Sequence, residues 1–99
     1  KDKDGFLVNL EDWSPTVAEE LAQAEDITLS PEHWEVLNAL RDFYQEFDLS
    51  PAMRPLTRYL KIKLGPEKST SIYLMTLFPG SPAKLTAKIA GLPRPENCL

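Results

Sequence analysis

Apolar and polar residues follow a helical period over most of this 99-residue chain. The clearest case is residues 31–47. Val36, Leu37, Leu40, Phe43, Tyr44 and Phe47 recur at about 100° per residue and fall on one face of a helix. Leu56, Tyr59, Leu60 and Leu64 keep the same spacing and predict another helix, closed by Gly65-Pro66. Pro55 lacks the N–H that would bond back to residue 51, so this helix either begins near Pro55 or kinks there. Residues 15–25 are acidic and Ala-rich, a helix-favouring stretch. Residues 67–78 are apolar nearly all round, at Ile72, Tyr73, Leu74, Met75, Leu77 and Phe78. That pattern predicts a central helix buried on most sides. A strand reading of "SIYLMTLF" competes with it, because Ile and Tyr favour strands. A last helix is predicted over residues 82–90, with Ser81 ahead and Gly91 behind. Before all of these, "GFLVNL" follows a "DKDG" turn and predicts one short strand, which needs a partner strand.

The punctuation between these segments is repetitive. Ser14-Pro15, Ser30-Pro31, Ser50-Pro51 and Ser81-Pro82 are four serine–proline pairs. A serine hydroxyl caps the free amides of a first helical turn, and proline fits the next position because its missing N–H has no partner there. The pairs read as up to four helix starts. The intervening sequence does not repeat, so they are not traces of a duplication. The expected architecture is mainly α: one domain over residues 1–99, with a hairpin remnant at 1–12 and a helical body at 13–91. Residues 92–99 form a mobile arm in this reading. Pro93 and Pro95 stiffen it, and seven residues from Gly91 to Cys98 reach on the order of 20 Å.

Composition changes this picture little. Hydrophobic residues are 42% and charged residues 26%, which is globular and not disordered. No run approaches a membrane span. The start of the chain has no apolar signal-peptide core, so nothing points to export. A lone cysteine cannot form an internal disulfide, and a reducing cytoplasm is the expected home.

Charge changes it more. The net charge of −4 conceals an asymmetry. Residues 1–50 hold three cations against thirteen acids, a net of −10, and residues 51–99 hold eight cations against two acids, a net of +6. One reading is a solvated surface of uneven charge. The other is a basic face that meets an acidic partner or a nucleic-acid backbone. Arg54, Arg58 and Lys61 are spaced to share a helix face, and Lys84 and Lys88 form an i,i+4 pair. With Arg94 they are the candidate docking residues.

Cys98 is the candidate reactive group. A terminal position offers access and movement but no fixed surroundings that would lower the thiol pKa. The nearby carboxylate of Leu99 disfavours thiolate. The expectation is a thiol of modest reactivity alone, activated inside a partner's site; the alternative is an incidental surface cysteine. Such a thiol suits carriage of sulfur as a persulfide, or a mixed disulfide, which a second thiol elsewhere must resolve. His33, the one histidine, lies on the apolar arc of its helix and reads as a hydrogen-bonded core residue. Trp34 sits off the main stripe; it either packs on a neighbouring helix or stacks on a base. One Cys and one His far apart do not make a metal site, and neither a phosphate loop nor a hydrolase elbow occurs. No cofactor is expected.

Several blocks in order resemble one family. "LSPEHWEVL", "RDFYQEF" followed by "SPAMRPL", "YLMTLFPGSPAKLTAKIAGLP" and the terminal "PRPENCL" are similar to segments of the TusE/DsrC family of small sulfur carriers. The resemblance implies an orthogonal helical bundle with an N-terminal β-hairpin, of which this chain shows only part. It also implies that Cys98 is the carrier cysteine on a flexible C-terminal arm. In DsrC proper a second cysteine precedes it by eleven residues, where this chain has Ala87. That departure argues against a two-thiol role with sulfite reductase and for the single-cysteine TusE pattern. The resemblance then implies a sulfurtransferase that takes persulfide sulfur from a TusBCD-type donor. It passes the sulfur to an MnmA-type tRNA 2-thiouridylase, away from membranes. A DsrC-like regulatory or sulfite-reductase-associated binding protein is the other reading.

Overall fold

The computed structural model describes residues 6–7 and 9–95. Among these, five α-helices carry the fold: α1 Pro15–Ala24, α2 Pro31–Phe47, α3 Met53–Leu64, α4 Ser71–Leu77 and α5 Pro82–Ile89. Of two 3₁₀ turns, Leu10–Asp12 precedes α1 and Pro66–Lys68 lies between α3 and α4.

Serine–proline pairs stand at three of the starts as the sequence predicts, those of α1, α2 and α5, and in the first two the serine hydroxyl caps the helix. The Ser14 hydroxyl accepts from the Val17 N–H at 3.2 Å, with Pro15 in the first turn of α1. Ser30 opens α2 with a capping box closed by His33: the Ser30 N–H donates to His33 Nδ1 at 3.0 Å. An N–H can only donate, so Nδ1 is the acceptor. The proton therefore sits on Nε2, which donates to the Leu77 carbonyl at 2.9 Å. His33 also meets Phe78 edge-on, with centroids 5.1 Å apart. It is the hydrogen-bonded core histidine the pattern predicts.

α3 begins at Met53, and Pro55 stands third in it. The first intrahelical bond is from Leu56 N–H to the Ala52 carbonyl. The amide that proline lacks would have been one of the unpaired donors of the first turn, so no kink is needed.

Three expectations change. Residues 67–78 are not one helix: the 3₁₀ turn ends at Lys68, and Thr70 caps a separate α4 by accepting from Tyr73 N–H at 3.0 Å. Nor is α4 central. Leu74 and the following Phe78 are fully buried, but Ile72 is 79% exposed and Met75 43%. The central helix is α5, which packs against each of the other four. Of its eight residues only Lys84 is not buried. Small Ala83 and Ala87 let neighbours approach, and the buried Thr86 hydroxyl is satisfied by donating to the Pro82 carbonyl at 2.7 Å. The core joins α5 to Leu21, Leu37, Leu40, Leu56, Leu60 and Phe78.

Third, Phe6 and Leu7 are in no strand, and Asn9 caps the first 3₁₀ turn. Phe6 packs into the core. The rest of the expected hairpin lies outside the described residues.

Candidate functional site

The segment that leads to Cys98 emerges from the C-terminal end of α5, and backbone geometry sets its first turn at Gly91 and Leu92. Gly91 adopts φ +75°. Its N–H bonds to the Lys88 carbonyl at 3.1 Å, and the Leu92 N–H bonds to Ala87 at 2.9 Å. This pair of reversed bonds is a Schellman motif, which ends a helix through a residue of positive φ. Leu92 then enters the core beside Ala87. Glycine is required here twice over. The backbone is left-handed, and a Cβ at Gly91 would lie 2.2 Å from Trp13 Cδ1.

Three side chains from distant parts of the chain close on this turn. Trp13 Nε1 donates to the Ile89 carbonyl at 2.8 Å. Arg41 Nη1, from α2, donates to the Ala90 carbonyl at 2.5 Å. The Ser50 hydroxyl, from the loop before α3, donates to the Pro93 carbonyl at 2.6 Å. Arg41 also stacks on Trp13, its guanidinium carbon 3.8 Å from the ring centroid. Burial of the guanidinium pulls its pKa below the ordinary arginine value, yet arginine remains charged at any physiological pH. A carbonyl and an aromatic face replace the water it has lost.

Sequence reasoning missed this cluster. The third serine–proline pair starts no helix; Ser50 is buried and holds the terminal segment instead. Arg41 is the only cation between Lys3 and Arg54. That isolation in an acidic half was the available signal. Residues 92–95, expected to begin the arm, are attached at Leu92, Pro93 and a buried Pro95. Cys98 itself lies outside the described residues.

The candidate docking residues separate into groups. Arg54 and Arg58 are exposed on α3 and line a shallow surface depression with Thr57, Lys61, Ser69 and Thr70. Lys84 and Lys88 do not make a shared cationic edge. Lys84 is half-buried, while Lys88 is buried against α1 and pairs with Glu25 at 3.1 Å. Arg94 is exposed, with its guanidinium 5.5 Å from the Phe6 ring, and the Lys88 ammonium is equally far from the same ring. Trp34 is half-buried against the core and lines an open groove of about 600 Å³ with Trp13, Asn38, Arg41 and Asp42. Among the described residues, no three His, Cys, Asp or Glu side chains are grouped to hold a metal ion. No helix there is long and apolar enough to cross a membrane.

Comparison with known proteins covers the whole chain. A family described as "DsrC like protein" matches residues 1–99. Two curated relatives are the "Sulfurtransferase TusE" of Escherichia coli, 50% identical, and the "Sulfurtransferase TusE homolog" of Haemophilus influenzae, 49% identical. Each match spans 99% of this chain and 90% of the relative. The solution structure of Allochromatium vinosum DsrC superposes with a TM-score of 0.89 at 46% identity, over 99% of this chain and 88% of that one.

Proposed function

The chain belongs to the DsrC-like protein family, and from that premise we propose that it is a sulfur-relay protein, a sulfurtransferase carrying a persulfide on Cys98. The observation that carries this reading is about 50% identity across the chain to proteins named sulfurtransferase TusE, in a sequence whose one cysteine is Cys98.

The chemistry is a pair of thiol exchanges. The Cys98 thiolate attacks the outer sulfur of a donor persulfide. The donor's S–S bond breaks, the donor leaves as a thiolate, and Cys98 becomes Cys98–S–SH. An acceptor thiolate then takes the outer sulfur and regenerates the Cys98 thiolate. No electrons are gained or lost overall, because the oxidising equivalent travels with the sulfur. Ala87 leaves the chain without a second thiol, so the load passes to another molecule and cannot be closed into an internal disulfide. The donor in this reading is of the TusBCD type. The acceptor is an MnmA-type thiouridylase acting on tRNA in the cytoplasm. The exposed Arg54 and Arg58 of α3 suit docking to an acidic protein surface or to the tRNA.

The test is intact-mass analysis after mixing the purified protein with a persulfide-loaded donor. The expected result is a gain of one sulfur atom, reversed by reductant and absent in Cys98→Ser. No adduct with a competent donor overturns the reading. Charge reversal at Arg54 and Arg58 is expected to weaken acceptor binding. Unchanged binding and transfer would remove α3 from the docking surface and leave the relay standing.

A further inference from the structure

The relay chemistry needs only a thiol, yet the chain spends three buried or half-buried donors on the few residues before it. We infer that Trp13, Arg41 and Ser50 are positioning residues for sulfur transfer: they fix the point and direction from which the terminal segment leaves the body. This inference rests on the relay reading above.

Three observations carry it. First, the donors converge. They come from the end of the first 3₁₀ turn, the middle of α2 and the loop before α3, and their acceptors are the carbonyls of Ile89, Ala90 and Pro93. The last carbonyls of a helix have no intrahelical partner and are commonly left to water. Here side chains 76 and 49 residues away in sequence take two of them.

Second, one of the donors is placed against local rule. Ser50-Pro51 resembles the pairs that open α1 and α2, but α3 starts only at Met53. The Ser50 hydroxyl points instead to Pro93, which is beyond the helix and beyond the Schellman turn. Ending α5 does not require that bond. Directing the chain that follows does.

Third, the anchor sets a short tether. From the buried Pro95 to Cys98 is three residues, at most about 11 Å when extended. Released back to Leu92, which the core and the Schellman turn hold, the tether would be six residues and at most about 21 Å. A longer tether dilutes its end within a docked complex, and the local concentration falls by roughly two- to fivefold. The thiol's own chemistry would not change.

The variants Ser50→Ala and Trp13→Phe each remove one donor and keep most of the packing. Three measurements on the full chain test the inference. A nitroxide on Cys98, the only cysteine, reports its position through broadening of backbone amide signals; in the variants the broadened region spreads. Alkylation by iodoacetamide keeps its wild-type rate. In transfer to a protein acceptor, kcat falls two- to fivefold while KM moves less than twofold, because the docking surface is intact. If a variant melts well below the wild type, the other carries the test at a temperature where it is folded. Wild-type transfer rates in a folded variant overturn the inference and leave the relay standing. A fall in alkylation matching the fall in transfer also overturns it, since the thiol itself would have changed. A wild-type protein that accepts no sulfur from a competent donor overturns the relay reading, and the inference with it.

Discussion

α4 and α5 exchange the places that their sequences suggest. "SIYLMTL" is the more apolar helix and lies at the edge, while "PAKLTAKI", with two lysines and a threonine, lies at the centre. Apolar count alone does not select the centre of a small bundle. What matters is how closely neighbours approach and whether each polar group is satisfied once buried. Ala83 and Ala87 provide the approach, Thr86 bonds within its own helix, and Lys88 has Glu25. α4 is held through Leu74 and the following Phe78, and turns Ile72 outward.

The largest effect expected is at the point where α4's end joins the core. Phe78→Ala removes a fully buried ring that His33 meets edge-on, and should cost about 4 kcal/mol in chemical denaturation. A loss under 1 kcal/mol would make α4 an appendage. Next is the exit of α5. Gly91→Ala puts a Cβ into Trp13 on a left-handed backbone and should cost on the order of 3 kcal/mol. A neutral result would mean that Trp13 does not lie against the turn.

Thr86→Val keeps the shape of α5's centre and removes a hydroxyl whose bonds are internal to the helix. It should cost about 1 kcal/mol. A cost several times larger would mean that the hydroxyl also serves a neighbouring element.

Near α4, burial raises the Tyr73 pKa, and the Lys68 pKa is raised by its hydrogen bond to Glu35. Both groups lose their protons first in the unfolded chain. Their contributions are complete below about pH 10 and are lost as pH climbs toward the raised values. Tyr73→Phe should therefore flatten the alkaline decline of the denaturation midpoint, and an unaltered slope would contradict the burial of the phenol. Smallest of all, Ile72→Gln should change stability by less than about 0.5 kcal/mol. A large loss in that variant would restore α4 to the interior.

The sequence made α2 readable to the residue, because seventeen residues of strict periodicity lie between a serine cap and a left-handed Asp48. It also made Cys98 the candidate thiol, since no other sulfur nucleophile competes. What it concealed were contacts across long separations. Ser50 looks like a cap until Pro93 is placed beside it. Lys88 looks like half of a docking pair until Glu25, 63 residues earlier, is found against it. Arg41 belongs to an exposed-looking polar position of α2 by period alone. Its role depends on where α5 ends, which no local pattern in α2 encodes.

The arginine on Ala90 has a consequence for any anion carried on the chain that follows. A helix concentrates partial negative charge at its carboxyl end, equivalent to roughly half an electron. A thiolate or persulfide tethered there would start from a repulsive pole. Arg41 sets a full positive charge on that pole, and so opposes the partial negative charge of the helix end. The end of α5 thereby carries a cationic base, although the half of the chain that supplies the arginine is the acidic one.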